Sequence, residues 1–293
     1  MEEIKTIARN ISLIENRIGE YDSILLNTGT EKKAATIVGI TGAPGAGKST
    51  IVDGLIAEMV ADNKTVAVLC VDPSSPFNMG ALLGDRIRMN QWYTNPNVYI
   101  RSMASRKELG GLSPMMIEVT EYIKYCGFDY VIVETVGVGQ NEVEIAGLAD
   151  ITVLILVPEG GDEIQTMKSG IMEIADIFVV NKSDRPGADL FSRNLHMMFP
   201  PTWLKSKGEV PIIKTSAEQK TGLHDLYSAI VEVTRSISVS DKKYWLLADK
   251  VYQLIQSARM HDVQKDALFT SLKESFTKDP NFNIFRFAKT FTA

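Results

Sequence analysis

The sequence predicts an α/β fold, a P-loop nucleotide-binding type with a mainly parallel sheet flanked by helices and with helical extensions at both ends. Three features predict it. Apolar runs near 35–41, 65–72, 97–102, 129–135, 151–158, 176–181 and 210–215 alternate with helix-period stretches near 49–61, 113–126, 163–173, 187–199 and 222–236, the signature of βαβ units. The runs are continuously apolar rather than alternating, as in strands covered on both faces. Finally, the run Ala35 to Ile40 leads into Thr41-Gly42-Ala43-Pro44-Gly45-Ala46-Gly47-Lys48-Ser49-Thr50, a G-x-x-x-x-G-K-S loop that opens the helix Ser49 to Ala61, read as amphipathic.

Residues 1–34 are expected to form a helical extension, because Ile4, Ile7, Ile11, Ile14 and Ile18 recur at spacings of three and four, with Tyr21, Ile24 and Leu25 continuing the stripe. The polar stretch Asn27 to Lys33 separates it from a nucleotide-binding domain at 35–237. Residues 238–293 form a second extension, helical from Asp241 to Lys278, whose Trp245, Leu246, Val251, Tyr252, Ile255, Leu268, Leu272 and Phe276 suit either packing on the parent domain or self-association as a dimerisation arm. The 293-residue chain, 45% hydrophobic, is long enough for one large core with appended helices.

Composition narrows the partners. A net charge of −5 with no basic block disfavours nucleic acid. The two cysteines, Cys70 and Cys126, have neither the number nor the spacing of a disulfide framework or zinc site and read as thiols of a reducing compartment. No run reaches the roughly 18 apolar residues of a membrane span, and Met1-Glu2-Glu3 opens on acid rather than on a basic leader. A cytoplasmic protein is expected.

The chemistry is written at the strand ends, where open parallel sheets place their ligands. In the loop Gly42 to Thr50, glycines allow backbone N–H groups to crowd around phosphate oxygens and the following helix points its positive end at them. Lys48 reaches the terminal phosphates and the Ser49 hydroxyl is a Mg²⁺ ligand. The strand Tyr130 to Val133 ends in Glu134-Thr135-Val136-Gly137, where Glu134 can hold Mg²⁺ through its water and the N–H of Gly137 can approach a γ-phosphate. Asp72, closing the second strand before Pro73, and Asp85, in Gly84-Asp85-Arg86-Ile87-Arg88-Met89, are further candidates for Mg²⁺ or the attacking water, or else a turn initiator and a helix cap.

Base choice resides in Asn181-Lys182-Ser183-Asp184. The Asp184 carboxylate can accept from guanine N1–H and the 2-amino group, whereas adenine would leave it desolvated and unpaired. Asn181 braces the loop, the Lys182 stem lies along the base, and Ser216 and Ala217 of Thr215-Ser216-Ala217 offer backbone N–H to the O6 atom. GTP and GDP, rather than ATP, are the expected nucleotides. The stretch Pro158-Glu159-Gly160-Gly161-Asp162-Glu163-Ile164-Gln165-Thr166-Met167-Lys168 reads as a nucleotide-responsive switch or, more plainly, as a loop and an acidic helix start.

Together these segments, with Ile100-Arg101-Ser102-Met103-Ala104 and Ala8-Arg9-Asn10-Ile11-Ser12-Leu13-Ile14-Glu15-Asn16, resemble the MeaB/ArgK family over roughly residues 5–260. The resemblance implies a homodimeric GTP-hydrolysing chaperone that gates adenosylcobalamin loading, protection and reactivation of a cobalamin-dependent acyl-CoA mutase, methylmalonyl-CoA mutase or a close relative. It further implies that Asp72, Asp85 and Glu134, with Ser49, form the magnesium and catalytic set. Asp162 to Lys168, including Gln165 and Lys168, matches the family's additional switch loop. Asn78-Met79-Gly80 departs from the family pattern of a hydroxyl residue and two glycines, and Phe282 to Ala293 matches no part of it. Val138 follows Gly137 where Ras-like proteins carry a water-orienting glutamine, so slow intrinsic turnover is expected, with Arg86, Arg88 or Lys168 supplying charge when a partner docks. A nickel-insertion GTPase, a kinase of a transport protein and a nucleotide-dependent adaptor without turnover are the rival readings; the three histidines, His196, His224 and His261, are scattered, which disfavours nickel.

Overall fold

The computed structural model describes residues 2–29, 33–73, 89–105, 114–135, 147–159, 172, 174–198, 210–236, 241–260, 262–263, 265–278 and 282–291. The chain divides into two compact units, Met1–Tyr244 and Trp245–Ala293.

In the first unit, strands β1 (Thr36–Gly42), β2 (Val66–Pro73), β3 (Val98–Ser105), β4 (Tyr130–Thr135), β5 (Ile151–Leu156), β6 (Ile177–Val180) and β7 (Ile212–Lys214) form one sheet in the order β3-β2-β4-β1-β5-β6-β7. All pairings are parallel. Each expected strand is present, with ends shifted by up to three residues. The expected helices appear as α3 (Lys48–Ala61), α4 (Pro114–Lys124), α5 (Ala188–Met198) and α6 (Leu223–Ser236). The helix expected near 163–173 lies almost wholly outside the described residues.

The continuous apolar strands are explained by the helices on both faces. Val38 and Ile40 of β1, Ile132 of β4, Val153 and Ile155 of β5 and Val179 of β6 pack with Ile51, Val52, Leu55, Ile56 and Met59 of α3 and with Leu226 and Ile230 of α6. The alternate residues Leu154, Leu156, Phe178 and Val180 face Phe191 and Leu195 of α5. Helix α3 buries a band much broader than the amphipathic stripe expected of it, because it lies against the sheet on one side and α6 on another. Between the two helices Gly54 of α3 faces Leu223, whose Cδ1 would lie 2.4 Å from a Cβ at that position.

The N-terminal stripe forms α1 (Glu2–Asn16), followed by the short α2 (Tyr21–Leu26). Ile7, Ile11 and Ile14 are buried, so the stripe faces the first unit's interior. Asn10 donates to the Tyr122 hydroxyl of α4 at 2.9 Å, and Arg101 of β3 pairs with Glu15 and donates to Ser12. The edge strand β3 is thereby fastened to α1. In the second unit, α7 (Asp241–Arg259, which begins in the first unit), α8 (Lys265–Lys278) and α9 (Ile284–Lys289) carry exposed Trp245, Tyr252, Phe269, Phe276 and Phe285. Helix α9 falls in the stretch that matched no family pattern; Asn283 caps it, its Oδ1 accepting from the N–H groups of Phe285 and Arg286 at 3.0 Å. Among the described residues no helix is long and apolar enough to cross a membrane.

Candidate functional site

A cleft of about 520 Å³ opens at the carboxyl ends of β1, β2, β4 and β6. Its floor is the phosphate-type loop between β1 and α3. Gly42 has φ +145°, and a Cβ there would lie 2.3 Å from the Ile155 carbonyl oxygen of β5. Gly47, at φ +92°, is the N-cap of α3 and lies so close to Asn181 that a Cβ would meet its Nδ2 at 2.3 Å. Both positions require glycine for conformation and for space. Ala46 is buried, Pro44 and Gly45 are exposed at the rim, Ala43 lies between them and β1, and Thr50 continues the lining into α3.

Lys48, 6% exposed, turns back along the loop and donates to the carbonyl oxygens of Gly42 and Ala43 at 2.8 and 2.9 Å. These contacts hold its ammonium over the loop. The next residue, Ser49, donates its hydroxyl to Glu134 Oε1 at 2.6 Å. Glu134 arrives there because β4 pairs with β1 in the register Gly39↔Val133, Ile40↔Glu134, and because even-numbered residues of β4 face α3. A hydroxyl and a buried carboxylate meeting at the N-terminus of a helix make a hard-oxygen donor set suited to Mg²⁺. Among the described residues no three His, Cys, Asp or Glu side chains gather around one point. Asp72 lies in β2, paired in register with Ala104, but its side chain lies outside the described residues, as do Asp85, Gly137, Gln165 and Lys168.

At the other end of the cleft, Asn181 joins three segments. Its N–H donates to Leu156 O at the end of β5, and its Nδ2 donates to Ala46 O of the loop, both at 2.8 Å. Its Oδ1 accepts from the Thr215 hydroxyl and the Ala217 N–H at 3.0 and 3.2 Å. This buried side chain therefore ties the phosphate-type loop to both base-type loops. Lys182 follows at φ +57°, a left-handed turn that an L side chain adopts at some cost. Beyond it, Asp184 Oδ1 accepts the Ser216 hydroxyl at 2.5 Å. That bond, aided by backbone N–H, holds the Asp184 carboxyl below its ordinary range.

The cleft thus gathers Gly45, Gly47, Lys48, Ser49, Glu134, Asn181, Lys182, Asp184, Ser216 and Ala217. Sequence reasoning missed four lining groups: Val71, Thr135, Arg185 and Glu218. Arg185 follows the base motif directly, a position whose charge reads as ordinary surface in sequence; its partner Glu159 is 26 residues away, and only the β5–β6 register brings the two within reach.

The family described as "Methylmalonyl Co-A mutase-associated GTPase MeaB" matches residues 7–271. A Pyrococcus horikoshii protein provisionally described as a GTPase is 45% identical over 241 residues, 81% of this chain and 76% of that protein. The GTPase ArgK of Escherichia coli is 33% identical over 248 residues, 82% of this chain and 75% of that one. A mitochondrial methylmalonic aciduria type A homolog from Caenorhabditis elegans is 44% identical over 148 residues, half of this chain and 37% of that one. Among solved structures, the crystal structure of LAO/AO transport system kinase superposes with a TM-score of 0.64 at 22% identity, covering 99% of this chain and 95% of that one, a likeness of fold. With a phosphate-type loop and a strand-end carboxylate in one cleft, and a family match spanning most of its length, the chain belongs to the MeaB family of methylmalonyl-CoA mutase-associated GTPases.

Proposed function

We propose that this chain binds and hydrolyses GTP and uses the cycle as a chaperone for a cobalamin-dependent acyl-CoA mutase, methylmalonyl-CoA mutase or a close relative. In this role it gates adenosylcobalamin loading, protects the enzyme and helps to reactivate it. The observation that carries the nucleotide part is Asn181: one buried amide fastens the phosphate-type loop to the loops bearing Asp184 and Ala217, an arrangement matched to a ligand with phosphates at one end and a polar base at the other. The mutase part rests on family membership.

Hydrolysis proceeds by in-line attack of water on the γ-phosphate. Lys48 and the loop N–H groups take up the charge that develops on the phosphate oxygens, without covalent participation of the protein. Ser49 and Glu134 would hold Mg²⁺, which would supply neutralisation of phosphate charge when bound. Asp184 accepts from the base edge, and Ser216 keeps its carboxylate oriented and ionised. Asp72, Asp85, Gly137, Gln165 and Lys168 retain the roles implied by the family pattern.

The test is GTP turnover by the purified protein alone and then with methylmalonyl-CoA mutase and its cobalamin. A slow basal rate that rises severalfold on adding the mutase is expected. An unchanged rate overturns the chaperone reading for that enzyme, and absence of any turnover in both conditions favours an adaptor. A Lys168→Ala variant that keeps full stimulation removes Lys168 from the coupling.

A further inference from the structure

The base end of the cleft carries an ion pair that the hydrolytic scheme does not use. Arg185 Nη1 lies 2.6 Å from Glu159 Oε1. The two residues sit beyond the carboxyl ends of adjacent strands, β5 and β6, in the register Leu156↔Val180. Arg185 is held in a turn on both sides: its N–H donates to Lys182 O at 3.0 Å and its carbonyl accepts from Ala188 N–H at 3.4 Å. With the backbone so fixed, the guanidinium is aimed across the gap to the β5 loop while its flank lines the cleft beside Asp184 and Glu218.

We propose that Arg185 and Glu159 form a strap across the base end of the cleft, which positions the base-reading loop 181–185 against the loop after β5 and slows the release of bound guanine nucleotide. The proposal rests on the GTP reading and deepens it. Its physical warrant is the asymmetry between what the pair can do for folding and what it can do for the ligand. Its side chains are 47% and 51% exposed, so solvent screens the attraction and its contribution to global stability is small. The loop it restrains, however, contains a left-handed Lys182, with a left-handed Gly187 two residues beyond its end, and among the described residues its other tie to the β5 side is the Asn181 N–H. Asn181 anchors the start of that loop to β5 through its backbone; Arg185 anchors its end. Removing the second anchor leaves the end of the loop tied to the β7 side, through Ser183 N–H to Thr215 O and Ser216 to Asp184, but no longer to the β5 side, so the effect appears in nucleotide residence time rather than in folding. The mutual influence of the two charges runs in the same direction, Glu159 lowered by Arg185 and Arg185 raised by Glu159. Glu159 also directly precedes Gly160-Gly161 and the stretch Asp162 to Lys168, so the strap links base occupancy to the start of the segment implied in partner coupling.

The test uses the full chain and a fluorescent GDP, read as dissociation rate and as equilibrium affinity. Arg185→Ala and Glu159→Gln should each speed release by about twofold to fivefold, the range an exposed ion pair can supply. The double variant should be no faster than either single one, and Arg185→Lys, which keeps the charge but not the fork, should recover part of the loss. Thermal unfolding of the nucleotide-free variants should match the parent, and Lys214→Ala, which breaks the comparably exposed Lys214–Asp189 pair at 2.7 Å, should leave release unchanged. Single variants whose effects add, or an Arg185→Ala variant with parental release, overturn the strap. A parent protein that binds no guanine nucleotide overturns the GTP reading instead, so the two failures are distinct.

Discussion

Asn181 and Asp184 share one tetrapeptide, yet their side chains work in opposite environments. Asn181 is 2% exposed and spends its amide on protein partners, so Asn181→Ala leaves the Ala46 carbonyl and the Ala217 N–H without it. A cost of about 1–3 kcal/mol is expected, visible as a lower urea midpoint, together with weakened GDP binding as the two ends of the cleft drift apart. An unchanged midpoint would mean that water replaces the amide. Asp184 is exposed and acts through its charge. Its folded-state value is depressed, chiefly by the Ser216 hydroxyl, so its ionised form persists as pH falls below the ordinary carboxylate value and is lost only through the lower, folded-state value. The Asp184 contribution to GDP affinity should accordingly hold as pH drops from about 7 towards about 4, so that, with titration of the nucleotide phosphate common to both proteins, Ser216→Ala, with Asp184 returned towards its ordinary value, should begin to lose affinity relative to the parent at a higher pH. Superimposable pH profiles would show that the hydroxyl does not govern this carboxyl. The tetrapeptide's place in the cleft was legible because a strand-end carboxylate after a phosphate loop is the pattern that guanine recognition would demand. The Ser216–Asp184 bond was not, since it depends on how two loops 32 residues apart are brought together.

At the scale of elements, strands buried on both faces announced themselves as unbroken apolar runs, and the glycine-rich turn fixed where β1 must end and α3 begin. The edges were less legible. β7 was expected over 210–215 and spans Ile212–Lys214, because an edge strand has one neighbour to define its ends and its residues are only partly covered. Helix α9 escaped notice although Asn283 supplies an N-cap signal, because six residues carry too little periodicity to stand out. The breadth of the buried band on α3 was also hidden, since it is set by α6, more than 160 residues along. That packing gives a test. Gly54→Val would force Leu223 Cδ1 and Cδ2, 2.4 and 3.0 Å from the new Cβ, to move between α3 and α6. Overpacking of this kind costs about 1–3 kcal/mol, more than the gain in helix propensity returns. Because α3 starts at Lys48 and Ser49, the displacement should weaken nucleotide binding as well as lower the melting temperature. A variant that melts earlier yet binds GDP as tightly as the parent would show that the helix can shift without moving the loop at its N-terminus.

For the whole molecule, the unit Trp245–Ala293 sets the open question of assembly. Its helices are expected from the apolar spacing, but spacing alone does not say whether such residues are covered by the same chain. Trp245 is 77% exposed, Tyr252 66%, Phe269 67% and Phe276 66%, more large apolar surface than scattered single residues on a monomer. By contrast, Phe282 packs at a tilt against Phe287, 5.7 Å apart, and meets Phe276 edge-on at 5.4 Å, so the unit's aromatic residues serve internal packing in part while much of their surface stays exposed. A homodimer that buries the exposed set accounts for both, with the same surface contributed by each copy under two-fold symmetry. Sedimentation should then give twice the chain mass, and a Trp245→Glu, Tyr252→Glu variant, which removes apolar contact and places like charges across the axis, should sediment as a monomer with its nucleotide cleft intact. Since the substituted positions face solvent, their fold cost is small and GDP binding serves as the check on integrity. A variant that remains dimeric moves the interface away from α7, and a parent that is monomeric leaves these rings for a different protein, with the mutase the first to try.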